Sequence, residues 1–121
     1  MPYKTRMRIR SDILVSALTR RVFSDGGYAA VVHKGAEASG AIFVRQRFRD
    51  GLETLYGPAP QAMIETEARD DRLFEERLSR AEPEAVADVI AREMKFDSDL
   101  WLVEIEVDAI GTYLDLAPTA K

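Results

Sequence analysis

Apolar positions recur along this chain with two different periods, and the elements change where the period changes. Leu14, Leu18 and Val22, with Ile13 and Ala17, return at helical spacing after Ser11 and Asp12. Gly26-Gly27 follows as a stop, so the pattern predicts a helix over 12–25 with Ser16, Thr19, Arg20 and Asp25 toward solvent. Tyr28 to Lys34, with Val31 and Val32, favours extended chain, and Gly35 to Gly40 reads as a turn by composition. From Ala41 to Arg49 the alternation is regular: Ile42, Val44, Gln46 and Phe48 fall on one side, and Phe43, Arg45, Arg47 and Arg49 on the other. Asp50-Gly51 then signals a two-residue hairpin, Leu52 to Tyr56 return, and Gly57-Pro58-Ala59-Pro60 is expected to break pairing. A three-strand meander is the expected centre of the fold.

Residues 61–80 fit no single period. Ala62, Met63 and Ile64 suggest a short strand, whereas Leu73, Phe74 and Leu78 suit a helical turn and an irregular strand equally. Pro83 suits the first position of a second helix running to Lys95, with Val86, Val89, Ile90 and Met94 as its apolar stripe. After the turn Asp97-Ser98-Asp99, Trp101, Val103, Ile105 and Val107 alternate with Leu102, Glu104, Glu106 and Asp108 in a last strand, which places Trp101 in the core. The fold class is therefore α+β: a mostly antiparallel sheet of four or five strands with two amphipathic helices packed on it, both over one apolar face. No linker divides the chain, so residues 1–121 are expected to form one domain.

Three stretches together resemble a bacterial family designated domain of unknown function 1491: Ser11 to Arg21 (SDILVSALTRR), Leu55 to Ala62 (LYGPAPQA) and Phe96 to Glu106 (FDSDLWLVEIE). Their order and spacing cover nearly the whole chain, with the weakest match at residues 65–80. The resemblance implies a small stand-alone cytoplasmic protein and brings no established activity, cofactor or site.

Composition narrows the chemistry. The absence of cysteine removes disulfides, a thiolate nucleophile and a cysteine-held metal, and fits a reducing compartment. Neither a secretion signal nor a membrane span is legible, so a cytoplasmic location is expected. A net charge of −4 argues against binding nucleic acid or a membrane by bulk electrostatics, although positive charge is concentrated before residue 50. His33, the single histidine, has no partner motif and reads as a surface side chain. Glu65, Glu67, Asp70, Asp71, Glu75 and Glu76 crowd the middle, but Arg69, Arg72 and Arg77 interrupt them, which favours a solvated, internally paired surface over a metal site. The glycine pairs lack the order of a phosphate loop, and no serine sits in a Gly-x-Ser-x-Gly elbow. No motif calls for a cofactor.

What stands out is a pair of charge stripes. Arg45, Arg47 and Arg49 share one side of one strand, and Glu104, Glu106 and Asp108 share one side of another. If the strands are neighbours, the stripes neutralise each other and are structural. If they are apart, the arginines are candidate ligands for phosphate, nucleotide or RNA, and the acids a candidate partner surface. Tyr56, at a strand end beside a proline loop, is a candidate rim residue offering its hydroxyl to a ligand. The absence of catalytic signatures favours a non-catalytic interaction module that binds a protein partner or a second copy of itself through a charged sheet face. The alternative is a phosphate-binding protein or enzyme built on the arginine stripe.

Overall fold

In the computed structural model, which describes residues 9–60 and 72–118, the strands assemble out of sequence order. Helix α1 (Ser11–Ser24) leads into β1 (Tyr28–His33), β2 (Ile42–Arg47), β3 (Glu53–Pro58) and β4 (Phe74–Ala81). Helix α2 (Pro83–Phe96), β5 (Trp101–Glu106) and a short 3-10 turn (Ile110–Thr112) follow. The five strands form one sheet in the order β1-β5-β2-β3-β4; β2 and β5 are parallel and the other neighbours antiparallel. This is the expected α+β sheet with two helices, mostly antiparallel and of five strands.

The meander lies elsewhere than the pattern suggested. β2, β3 and β4 are consecutive neighbours, whereas β5 inserts between β1 and β2. The reason is in the segment 34–41, which crosses over the start of β5. The Ala36 N–H donates to the Asp99 carbonyl at 2.8 Å, the Trp101 N–H to that of Ala41 at 2.7 Å, and the Trp101 indole to that of Ala36 at 2.8 Å. A Cβ at Gly35 would stand 2.1 Å from the Asp99 oxygen, and one at Gly40 2.5 Å from it. Glycine there serves close passage over a strand, which composition presents as an ordinary turn.

The helices cover opposite faces, not one. Val15, Leu18 and Val22 of α1 pack with Ile42, Val44, Tyr56, Trp101, Val103 and Ile105. Val86 and Ile90 of α2 pack with Phe43, Leu55 and Leu102, the alternate positions of the same strands. Both faces of β2, β3 and β5 are therefore buried over part of their length, and the face that carries the arginines is apolar at Phe43 and Leu102.

Local chemistry explains the ends. α1 stops in a Schellman motif: the Gly26 N–H donates to the Phe23 carbonyl and the Gly27 N–H to that of Val22, with Gly26 at φ +90°. Its start is not closed by a side-chain cap. Ser11 lies inside the helix, fully buried, and its hydroxyl donates to the Gly40 carbonyl at 2.6 Å, while the Ser11 and Asp12 N–H groups donate to the Ala38 and Glu37 carbonyls. The β2–β3 connection is a three-residue loop, Arg49-Asp50-Gly51. The Gly51 N–H donates to the Phe48 carbonyl, the Phe48 N–H to that of Leu52, and Gly51 sits at φ +92°. Pairing also continues through Gly57 and Pro58, which sit opposite Glu75 and Phe74, where a break was expected. Of residues 61–80, those from Phe74 onward form β4, and 61–71 lie outside the described residues.

Candidate functional site

The loop length decides where the charges go. A two-residue turn at Asp50-Gly51 would set Arg47 opposite Thr54; the three-residue loop sets Arg47 opposite Glu53 and Arg45 opposite Leu55. On the other side of β2, Arg45 is paired with Glu104 of β5. Four charges thus converge on the α2 face, immediately beyond Phe43, Leu55 and Leu102. Arg45 Nη2 donates to Glu104 Oε1 at 3.1 Å and Arg47 Nη1 to Glu104 Oε2, so one carboxylate bridges both guanidinium groups. Glu53, only 4% exposed, lies 3.9 Å from Arg45 Nε and 3.6 Å from Arg47 Nε.

Burial opposes ionisation of Glu104, but hydrogen bonds from Arg47 and Arg45, together with their charges, outweigh it and hold the carboxyl below its ordinary pKa. The hydrogen bond to Glu104 and its charge in turn raise Arg47, with smaller contributions from Glu53 and Glu106. The stripes are therefore neighbours for half their length. Glu53, which completes the cluster, carried no pattern of its own in the sequence; only the register of the hairpin reveals it.

Their other halves diverge. Arg49 lies in the hairpin loop beyond the end of β2, and Asp108 in a bend beyond β5; both are exposed, as is Glu106 at the strand's last position. Among the described residues none of the three makes a side-chain hydrogen bond or ion pair within 4 Å. With Arg47 they line a cleft of about 730 Å³ at the end of the sheet where the parallel strands β2 and β5 finish. Asp25, Tyr28 and Tyr113 complete its walls. Tyr113 Oη donates to Asp25 Oδ2 at 2.7 Å, which raises the phenol's pKa, and Arg21 stacks 5.1 Å from the Tyr113 ring while donating to the Thr112 carbonyl at 2.6 Å. These contacts tie the end of α1 to the 3-10 turn and shape the cleft wall; no periodicity in the sequence singles out Asp25 or Tyr113.

Tyr56 is not at a rim. It is 5% exposed within the α1-side core, its hydroxyl donates to Gln46 Oε1 at 3.3 Å, and burial raises its pKa, with the Glu76 charge adding to the effect. Gln46 passes the link on, donating from Nε2 to the Val107 carbonyl at 2.9 Å. Trp101 is buried, as its parity predicted. His33 is half-buried and pins β1 to the segment before β5, donating from Nδ1 to the Leu100 carbonyl at 2.8 Å. Among the described residues no three carboxylates or imidazoles gather as metal ligands; Glu65, Glu67, Asp70 and Asp71 lie outside them. No helix among the described residues is long and apolar enough to cross a membrane.

The architecture defines an α+β class: a mixed five-stranded sheet with one helix on each face. The family model described as "Protein of unknown function (DUF1491)" matches residues 9–115, and the chain belongs to that family, as its three sequence stretches suggested. It is similar to protein Atu0922 from A. tumefaciens, whose solution structure matches with a TM-score of 0.82 and 58% identity over 95% of this chain and 99% of that one. A DUF1491 family protein from Caulobacter crescentus CB15 is similar in its crystal structure, with a TM-score of 0.73 and 26% identity over 91% of this chain and 98% of that one. The NMR structure of a family protein from the same organism gives a TM-score of 0.72 and 25% identity over 95% and 100%. No curated protein matches the chain.

Proposed function

We propose that this protein is a non-catalytic interaction module that holds a segment of a protein partner in the cleft at the end of the sheet. The observation that carries the reading is the division of the charge stripes. Arg45, Arg47 and Glu104 engage one another and Glu53, while Arg49, Glu106 and Asp108 present both signs of charge around a cleft of about 730 Å³ with Tyr28 and Tyr113 in its wall. A polypeptide offers donors, acceptors and both charges along its length and suits such a lining. The cysteine-free sequence fits a reducing compartment, and the reading places the module in the cytoplasm.

The phosphate reading built on Arg45, Arg47 and Arg49 loses support on the same observation. A phosphate or nucleic-acid site needs cations available together. Two of these three already face carboxylates, and Glu106 and Asp108 beside Arg49 repel an anion.

Affinity capture from the native host, read by mass spectrometry, tests the choice. A protein retained by the native chain and lost on the paired charge reversal Arg49→Glu with Asp108→Lys supports the cleft. Retention on heparin that falls steeply with salt and disappears on Arg49→Gln, with no protein captured, would establish the phosphate reading instead.

A further inference from the structure

The two edges of the sheet are built differently. β4 carries Glu75, Glu76, Arg77 and Arg80, and its ladder with β3 slips twice. Arg80 is held at φ +44°, and the start of the strand is covered by the C-terminal segment. There the Phe74 N–H donates to the Asp115 carbonyl and the Ala117 N–H to that of Phe74, each at 2.8 Å. Charge, irregularity and cover are the means by which edges avoid pairing with other chains. β1, by contrast, reads YAAVVH without one lysine, arginine or carboxylate, and among the described strands it pairs only with β5. Val31 is 44% and Val32 50% exposed, and the exposed rings of Tyr28 and Phe23 meet edge to face with centroids 6.0 Å apart.

We propose that the outer edge of β1 pairs antiparallel with β1 of a second copy of this chain, about a two-fold axis, so that two sheets become one continuous sheet. The occupant is a second copy because the flanks of β1 complement themselves. Asp25 precedes β1 and Glu106 stands opposite Tyr28 at its first end, while Lys34 stands at its last, where its one ion pair among the described residues is a surface pair with Glu37 at 3.6 Å. An antiparallel two-fold brings the acidic end of each copy to the basic end of the other and sets the valines against their own kind. The β1–β5 ladder slips between Val31 and His33, which shortens the regular stretch. A strand of six residues and its flanking rings lie at the small end of specific interfaces, under about 1,200 Å² in total, so the dimer is reversible and concentration-dependent. Asp25, Tyr28 and Glu106 also line the proposed cleft, so Arg49, which lies beside the cleft and away from β1, separates the two sites.

Sedimentation equilibrium of the full chain from micromolar to millimolar concentration tests it. The expected result is a mass rising from one chain toward two. Val31→Lys, or Val32→Lys if the first variant folds poorly, gives β1 the charge that β4 has, and raises the dimer's Kd at least about tenfold, a change of 1.4 kcal/mol, with an unchanged circular dichroism spectrum. Lys34→Glu weakens the dimer in the same direction, and Arg49→Glu, which disables the proposed cleft, leaves it intact. A chain that stays monomeric throughout, or a dimer that survives both lysine variants, overturns the proposal. So does a monomer whose β1 amides gain exchange protection only when an unrelated strand-forming peptide is added.

Discussion

Arg47 and Arg49 are two residues apart, as are Glu104 and Glu106, yet within each pair the two residues meet opposite fates. Arg47 and Glu104 lie where Phe43, Leu55 and Leu102 end the apolar patch under α2, and there they close on each other with Arg45 and Glu53. Arg49 and Glu106 lie past that point, beside the cleft, without an ion pair among the described residues. Identical residue types become structural where a neighbouring strand supplies an opposite charge at low exposure, and available where the strand has ended. The low dielectric beside a packed core strengthens each pairing and raises the cost of leaving a charge alone.

The largest effect is expected from Glu53→Ala, which removes a buried carboxylate and leaves Glu104 to balance both guanidinium groups alone. It should lower stability by about 3 kcal/mol or more in urea unfolding. A loss below about 1 kcal/mol, the level of an exposed pair, would show that the cluster is as solvated as the cleft.

Glu104→Gln keeps the shape and removes the charge that both arginines share, and we expect a loss of about 2 kcal/mol at neutral pH, within the range for a hydrogen bond to a charged group. Because the folded-state pKa of Glu104 is depressed, its contribution is fully present above the ordinary glutamate pKa and is lost as pH falls through the lowered value. The stability gap between the native chain and Glu104→Gln should therefore close on acidification, measured as urea midpoints from neutral to strongly acid pH. A gap independent of pH would mean that the carboxylate charge is not what holds the arginines.

The smallest effects belong to the open group. Arg49→Gln, Glu106→Gln and Asp108→Asn should each change stability by less than about 0.5 kcal/mol, as surface substitutions do, while reducing partner capture. A loss above about 1 kcal/mol for any of them in thermal or urea unfolding would reveal a structural role and erase the distinction.

Much of this molecule was legible before folding was considered. The helical period of Leu14, Leu18 and Val22 with the Gly26-Gly27 stop, and Pro83 ahead of Val86 and Ile90, place both helices within a residue of where they lie. The alternation through Val103 and Ile105 assigned Trp101 to the core. These are local signals: each depends on the chain's own period or on a cap only a few residues away.

How those elements meet depends on contacts between segments distant in sequence. That β5 separates β1 from β2 depends on contacts between Gly35, Gly40 and Asp99, some sixty residues apart, which no period records. That Phe43 and Leu102 are core, not surface, depends on α2 taking the face opposite α1. One residue of loop length at Arg49-Asp50-Gly51 set the β2–β3 register, and with it which arginines found carboxylates. A one-residue shift turns every side chain of a strand to the other face, so pattern alone leaves register open. The chain itself determined its two helices and the alternation of β2 and β5, because periodicity and capping are local; packing between distant segments determined β4, the second buried face, sheet order, register and the division of charge, because those energies exist only once the segments touch.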